Sequence, residues 1–157
     1  MICKIRKWQL SDAAGLAAAL SNKKVQNNLR DGLPYPYTEQ DGEEYISAML
    51  SADEKETFAF AITADNKVIG SIGVFRQENI HRQTAELGYY IAEEYWGKGI
   101  MTEAVNKFVN MFLIRAILSA SMRSHLLIIP RLVEYLKKQD FNMRVHCEAT
   151  LSKMEKL

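Results

Sequence analysis

The segment that most constrains the fold is residues 84–105, TAELGYYIAEEYWGKGIMTEAV. Its first half is rich in aromatic and β-branched residues and lacks proline, which predicts a β-strand. Its second half predicts a helix that begins at Gly97 and Gly99. Where a strand turns on glycines into a helix, the helix N-terminus presents unpaired backbone N–H groups and the positive end of the helix dipole. The segment therefore predicts an anion-binding turn.

The glycine spacing by itself leaves two interpretations open. It matches neither the dinucleotide-binding fingerprint nor the P-loop, because a third spaced glycine and a Gly-Lys-Ser/Thr ending are both absent. On spacing alone, Gly97 and Gly99 make either a tight turn or an anion site. The longer strand-to-helix pattern is more specific than the glycines.

That longer pattern, ELGYYI followed by YWGKGIMTEA, resembles the acetyl-CoA-binding motif of the GNAT N-acetyltransferase superfamily. It is most similar to the branch that acetylates ribosomal-protein N-termini and related amines. The family signature is Gln/Arg-x-x-Gly-x-Gly/Ala, and this chain has Trp96 and Met101 at its first and last positions. Both departures are compatible with the motif, because backbone N–H groups hold the phosphates in that family.

The resemblance implies acetyl-CoA as co-substrate and no metal. Residues 97–101 would hold the pyrophosphate through their backbone, and N–H groups around Tyr90 and Ile91 would stabilise the oxyanion that develops on the thioester. Lys98 is either near a phosphate or simply exposed. The expected cofactor-binding residues are Tyr90, Ile91, Trp96, Gly97, Lys98, Gly99, Ile100, Met101 and Thr102.

The resemblance also places a carboxylate and a loop at the acceptor side. Glu86 corresponds to the strand carboxylate that acts as a base, directly or through water, or anchors the cationic amine. Its alternative is a paired carboxylate on the polar face of the strand. Arg30, Tyr35 and Tyr37 belong to a proline-rich loop that borders the acceptor site in the family, or else form a rigid connector whose tyrosines pack on the core.

The chain in order predicts a mixed α/β domain with a mostly antiparallel central sheet flanked by helices. Strands are expected over residues 2–8, 58–63 and 67–75, with Asp65 and Asn66 forming the turn between the last two. Helices are expected up to Leu20 and over residues 25–29. Thr38 is expected to open a further helix through a capping box, and a polar loop is expected over residues 77–82.

The resemblance covers residues 1–110 and fails over residues 111–157, which hold eight Lys/Arg and four Asp/Glu. A shifted reading frame that starts at the third base of codon 110 could encode a different segment, because the genetic code is degenerate. That segment can resemble the corresponding part of the family and includes Glu-Lys-Ala-Gly-Phe across residues 136–141. We interpret residues 111–157 as a frameshifted tail of a single domain, 1–157. The alternative is a genuinely divergent tail. This part is expected to be atypical, either covering the open sheet edge or leaving it to pair with a second chain as a homodimer.

Composition narrows the function classes. The 157 residues carry a net charge of +1, and no run of 18 apolar residues predicts a membrane span. No signal-peptide pattern and no metal-type cysteine spacing occur, which favours a cytoplasmic protein with free thiols. The basic tail lacks the aromatic interleaving of a nucleic-acid binder, so no nucleic-acid partner is expected.

Two functions remain. The first is an N-acetyltransferase that moves an acetyl group from acetyl-CoA directly to a primary amine, a protein N-terminus or a small molecule, in a ternary complex. The second is a catalytically impaired remnant that binds CoA or self-associates.

Overall fold

The computed structural model describes residues 3–53, 57–76 and 85–118. Two short 3-10 turns, Leu10–Asp12 and Glu93–Tyr95, accompany four strands and four helices. The strands are β1 Cys3–Arg6, β2 Thr57–Ala64, β3 Lys67–Arg76 and β4 Ala85–Ile91, and the helices are α1 Ala13–Leu20, α2 Lys23–Gln26, α3 Glu39–Ser51 and α4 Ile100–Leu118. The predicted loop 77–82 and residues 119–157 of the predicted tail lie outside the described residues.

The four strands form one antiparallel sheet in the order β1-β2-β3-β4. Asp65 and Asn66 connect β2 to β3 with φ of 49° and 64°. Two successive left-handed residues make a turn whose twist matches that of the flanking strands, and Asp and Asn tolerate this conformation. The predicted α/β class with an antiparallel central sheet is confirmed.

Local capping explains where two of the helices begin. The Thr38 hydroxyl accepts from the Asp41 N–H at 3.2 Å, and the Asp41 carboxylate accepts from the Thr38 N–H at 2.8 Å, which is the predicted capping box. Helix α2 begins two residues earlier than predicted, because Asn22 caps it by accepting from the Lys24 N–H at 2.8 Å.

Helices cover both faces of the sheet, and the side chains of each strand alternate between them. One face packs against α4 through apolar residues that include Phe58, Phe60 and Leu87. The opposite face packs against α1, α2 and α3, with Ala61, Val68 and Tyr90 on the strand side. The sheet is thus the middle of three layers.

Within the described residues, β4 is the edge strand next to the candidate site. The two segments that flank this edge are the α2 region, which precedes it by some sixty residues in sequence, and the turn into α4, which follows it directly. The predicted homodimer through this edge stays a prediction.

Candidate functional site

The turn between β4 and α4 has the backbone shape that the glycine pair predicts. Gly97 and Gly99 have φ of +69° and +72°, a left-handed conformation that side chains disfavour. Apart from the adjoining residues, no atom of the described part of the chain lies within 4 Å of the position that a Cβ would take at either glycine, which leaves room for a ligand there. The Glu103 N–H donates to the Gly99 carbonyl at 3.1 Å, which starts α4.

The first amides of α4 face this opening. A helix that begins at Ile100 has no carbonyl four residues back for its leading N–H groups, so those of Ile100, Met101 and Thr102 need partners from outside the helix. The dipole of a 19-residue helix adds partial positive charge at the same place. The start of α4 is therefore suited to an anion.

A cleft of about 240 Å³ lies beside this turn. One wall comes from α2 and the residues after it, where Val25 and Leu29 present apolar surface. The other wall contains eight of the nine predicted cofactor residues: Tyr90, Ile91, Trp96, Gly97, Gly99, Ile100, Met101 and Thr102. Lys98 does not line the cleft, and its Nζ instead lies over the Tyr95 ring, 5.6 Å from the centroid.

Trp96 ties the turn to the end of the strand. Its indole Nε1 donates to the Ile91 carbonyl at 2.9 Å, and its ring packs against the apolar cores on both faces of the sheet. The side chain at the first position of the family signature therefore shapes the cleft through a backbone contact. The departure from Gln/Arg leaves the turn structurally intact.

The two backbone amides expected to stabilise an oxyanion, those of Tyr90 and Ile91, point in opposite directions. The Ala92 N–H donates to the Ile69 carbonyl at 2.8 Å, so the backbone groups of Ala92 face β3. Because amide direction alternates along an antiparallel strand, the Tyr90 N–H faces β3 as well, whereas the Ile91 N–H faces away from it. Of the two, Ile91 has the amide directed to the open edge.

The Tyr90 side chain lies on the sheet face that packs against α1, α2 and α3, close to the hydroxyl groups of Tyr37, Tyr45 and Ser71. Burial raises the pKa of Tyr90 well above its usual value, the neighbouring phenols of Tyr45 and Tyr37 raise this pKa further, and the proximity of the Ser71 hydroxyl opposes the shift only in part. No well-formed hydrogen bond to the Tyr90 hydroxyl occurs among the described residues. Burial also raises the pKa of Tyr45. These phenols stay protonated at neutral pH.

Glu86 and Arg30 come together although 56 residues separate them. The Arg30 Nε donates to one Glu86 oxygen at 3.1 Å, and its Nη2 pairs with the other oxygen. The Glu86 side chain is 15% exposed and that of Arg30 62% exposed. The carboxylate is thus paired, as the alternative interpretation expected, and its partner is another predicted site residue.

The two tyrosines of the acceptor loop behave differently. Tyr35 is exposed, with the Lys23 ammonium over its ring at 4.8 Å from the centroid. Tyr37 is buried, its hydroxyl donates to the Asp41 carbonyl at 3.2 Å, and burial raises its pKa to about 12. Tyr35 can meet a substrate, whereas the burial of Tyr37 agrees with the interpretation of a connector packed on the core.

Sequence reasoning missed one contact beside the cleft, because nothing in the sequence marks Glu93 as a site residue. Glu93 accepts from the Asn22 Nδ2 at 2.7 Å and pairs with the Lys24 ammonium. The hydrogen bonds from Lys24 and Asn22 lower the pKa of Glu93. The partners are about 70 residues apart in the chain, so no local motif announces them.

Residues 3–53, 57–76 and 85–118 carry neither a metal-type cluster of side chains nor a membrane-spanning helix. No group of three or more His, Cys, Asp or Glu side chains there is arranged to hold a metal ion. No helix in this part of the chain has the length and apolar character needed to cross a bilayer.

Comparison with known proteins agrees with this geometry. YjcK of Bacillus subtilis (strain 168), a probable N-acetyltransferase, is 38% identical over 61 residues, which are 39% of this chain and only about a third, 34%, of that protein. The ribosomal-protein-S5-alanine acetyltransferase from Vibrio fischeri shares the fold with a TM-score of 0.56 at 21% identity, over 71% of this chain and 63% of that chain. The PaiA N-acetyltransferase from Thermoplasma acidophilum, in complex with coenzyme A, has a TM-score of 0.51 at 20% identity, over 71% and 72% of the two chains.

The family described as "Acetyltransferase (GNAT) domain" matches residues 3–131. The match continues past residue 110, where the resemblance was expected to stop, and ends within the predicted tail. The frameshift interpretation itself stays a prediction. Because the match spans most of the sequence and the fold agrees, the chain belongs to the GNAT acetyltransferase family.

Proposed function

We propose that this chain is an N-acetyltransferase that transfers an acetyl group from acetyl-CoA to a primary amine in a ternary complex. The observation that carries the proposal is the cleft where the glycine turn, the first amides of α4 and the end of β4 meet. Family membership and the coenzyme A complex of the similar PaiA protein support acetyl-CoA as the co-substrate.

The residues of the turn fit such a molecule. The amides of Ile100, Met101 and Thr102 lack intrahelical acceptors and would bind a pyrophosphate, as helix N-termini bind phosphates. The left-handed glycines let the backbone approach it without a side chain in between. The narrow cleft beside β4 has apolar walls suited to a thin, flexible arm.

Bound acetyl-CoA supplies the acetyl group as an activated thioester. The Ile91 N–H, directed away from β3, is placed to donate to an oxyanion at the open edge, where a preorganised donor contributes most. The amine must lose a proton to become a nucleophile, and Glu86 is the carboxylate on β4 for this role, directly or through water. Glu86 would act only after Arg30 has moved aside, because both of its oxygens are paired with the guanidinium.

The acceptor would approach from the side of the α2–α3 loop. Arg30 and the exposed Tyr35 lie on this loop. Relatives that act on ribosomal-protein alanine support a protein N-terminus as one acceptor class, and small primary amines are the other. We propose that Arg30 and Tyr35 border this acceptor site, with the buried Tyr37 supporting the loop from below.

The first test is CoA binding by the full chain, measured by calorimetry, with a matched pair of glycine variants. Gly99→Ala strains the turn at φ +72°, and Gly32→Ala imposes a similar strain at φ +100° in a loop outside the cleft. Both substitutions face open space, so strain is the shared effect. We expect CoA affinity to fall at least tenfold in Gly99→Ala relative to Gly32→Ala. Equal affinities would contradict the assignment of the turn.

Turnover is the second test and separates an enzyme from a CoA-binding remnant. Acetylation of an alanyl peptide and of spermidine from acetyl-CoA is followed by mass spectrometry. In the Glu86→Gln variant we expect the rate to fall about 10²- to 10⁴-fold if Glu86 is the base. CoA binding without acetylation of any amine would favour the remnant, and full activity of Glu86→Gln would remove the role of Glu86.

A further inference from the structure

The α2 region crosses the end of β4 as a strap, residues 22–30, that is attached at both ends. At one end Asn22 and Lys24 contact Glu93, just past β4. At the other end Arg30 contacts Glu86 on β4 itself. Between them Val25 is buried in the core cluster under α1, and Leu29 packs against that cluster.

The strap forms one wall of the proposed cofactor cleft, and the β4–α4 turn forms the other. Val25, Asn28 and Leu29 line the cleft from the strap side. Tyr95 and Trp96, two and three residues after Glu93, line it from the turn side. A bridge from Glu93 to Asn22 therefore joins the two walls.

The Glu93 end of the strap is the more elaborate attachment. Asn22 uses both ends of its amide, because Oδ1 accepts from the Lys24 N–H at 2.8 Å and Nδ2 donates to Glu93 at 2.7 Å. One residue thus caps α2 and connects it to the turn. Lys24 pairs with the second Glu93 oxygen, so both carboxylate oxygens are engaged.

This bridge also separates two cavities. Asn22 and Glu93 line a larger space of about 890 Å³, bordered by α1 and the β2–β3 turn. Tyr95 belongs to the lining of both cavities. The bridge thus lies beside Tyr95, where the linings of the two cavities meet.

We propose that Glu93, Asn22 and Lys24 form a positioning network that sets the spacing between the strap and the glycine turn, and thereby the affinity for CoA. None of the three side chains lines the cleft, so they act through the walls that they join. The inference rests on the proposed cofactor site and adds residues that hold it in shape.

The experiment measures CoA affinity and stability together on the full chain. Asn22→Asp keeps an oxygen that caps α2, since Asp is as good an N-cap as Asn, but it replaces the amide donor with a charge that repels Glu93. Glu93→Ala removes both contacts. We expect CoA affinity to fall about tenfold in either variant with a nearly unchanged urea midpoint, because the contacts lie at the surface.

A distant carboxylate and a swapped pair serve as controls. Glu43→Ala removes an exposed carboxylate on α3, which does not line the cleft, and it should leave CoA affinity unchanged. The double exchange of Lys24→Glu with Glu93→Lys should recover part of the affinity lost in Glu93→Lys alone, because it restores the ion pair but not the Asn22 contact. Hydrogen exchange of the ligand-free protein should be faster over residues 22–30 in Glu93→Ala but not in Glu43→Ala.

The outcomes separate the two levels of inference. If the wild-type chain binds no CoA, the proposed function and this inference fall together. If the wild-type chain binds CoA and Glu93→Ala binds it equally well, only the positioning network is overturned. An affinity loss in Glu93→Lys that the exchanged pair does not reduce at all would also overturn it.

Discussion

The two faces of the sheet are built from different chemistry. The face against α4 is filled with apolar side chains, among them Phe58, Phe60, Phe108 and Phe112, whose ring centroids lie 4.6–6.1 Å apart where they contact. The face against α1 and α3 instead buries polar groups.

The polar face carries several groups that an apolar core would exclude. Asp12 is buried and pairs with Arg6, and Ser71 is buried between tyrosines. The Trp8 Nε1 and the Tyr90 hydroxyl are buried without a well-formed hydrogen bond in the described part of the chain. The α4 face is therefore stabilised by apolar packing alone, whereas the other face combines an apolar core with buried polar groups, of which Tyr90 also lines the cleft.

The largest effect should follow from a cavity on the apolar face. Phe108 is 1% exposed and contacts the rings of Phe58, Phe60 and Phe112. Phe108→Ala should lower the free energy of unfolding by about 3–5 kcal/mol, measured by urea titration. The exposed Asn106 on the same helix is the control, and Asn106→Ala should stay within about 0.5 kcal/mol. A loss below about 1 kcal/mol in Phe108→Ala would show that this face is loosely packed.

A smaller effect should follow from breaking the ion pair on the polar face. The Arg6 guanidinium donates to both Asp12 oxygens at 2.7 Å. Burial favours a higher pKa for Asp12, but the hydrogen bonds from Arg6 and Gln9 and the Arg6 charge outweigh it, so the pKa is lowered. Asp12→Asn should cost about 1–3 kcal/mol at pH 7.

The same pair predicts a pH dependence. Because the pKa of Asp12 in the folded protein lies below its ordinary value of 3.8, the ion pair contributes stability above that pH and loses it as the pH falls through the folded pKa. Urea titrations from pH 6 to pH 2.5 should therefore show a steeper loss of stability in the wild type than in Asp12→Asn. Parallel curves would show that the pair contributes nothing to acid unfolding.

The start of α3 should show a smaller effect and sharpen the contrast with α4. The hydroxyl of Thr38 caps α3, whereas α4 follows Gly99, which has no side chain that could act as a cap. Thr38→Ala should lower the free energy of unfolding by about 1 kcal/mol. Thr38→Ser, which keeps the hydroxyl, is the control and should stay near the wild type. CoA affinity should be unchanged in both variants, because α3 does not line the cleft.

The smallest effect should come from the buried hydroxyl of Tyr90. Since this group lacks a well-formed hydrogen bond, Tyr90→Phe should leave the free energy of unfolding unchanged or raise it by up to about 1 kcal/mol. Tyr37→Phe is the matched comparison, because its hydroxyl donates to Asp41 at 3.2 Å and its removal should cost about 0.5–1.5 kcal/mol. A loss above 1 kcal/mol in Tyr90→Phe would mean that its hydroxyl is bonded after all.

Local signals in the sequence were sufficient for most elements. The Asp65–Asn66 turn, the Thr38 capping box and the glycines before α4 all depend on residues within a few positions of one another. Periodicity in β2 and β3 predicted their ends to within one residue. The short helix α2 was misplaced by two residues, because the capping role of Asn22 was not recognised.

The residues of the candidate site also fall into two groups, one predicted by local signals and one that depends on contacts between distant residues. The cofactor side of the cleft comes from one contiguous segment, residues 90–102, and eight of its nine predicted residues line the cleft. The acceptor side and the strap wall of the cleft need contacts between residues 56 to 71 positions apart, such as Arg30 with Glu86 and Asn22 with Glu93. The neighbouring residues in the proline-rich loop also did not indicate that Tyr35 would be exposed and Tyr37 buried.

The sequence by itself determined the strand-turn-helix unit and its glycine conformation, because local sterics and hydrogen bonding decide these. Only the tertiary structure decided that Arg30 occupies the Glu86 carboxylate, that Tyr37 is buried while Tyr35 is exposed, and that Glu93 joins the strap to the turn. The physical reason is that ion pairs and burial depend on which segments the fold brings within a few ångströms. The number of residues between two positions in the sequence does not give the distance between them in the folded protein.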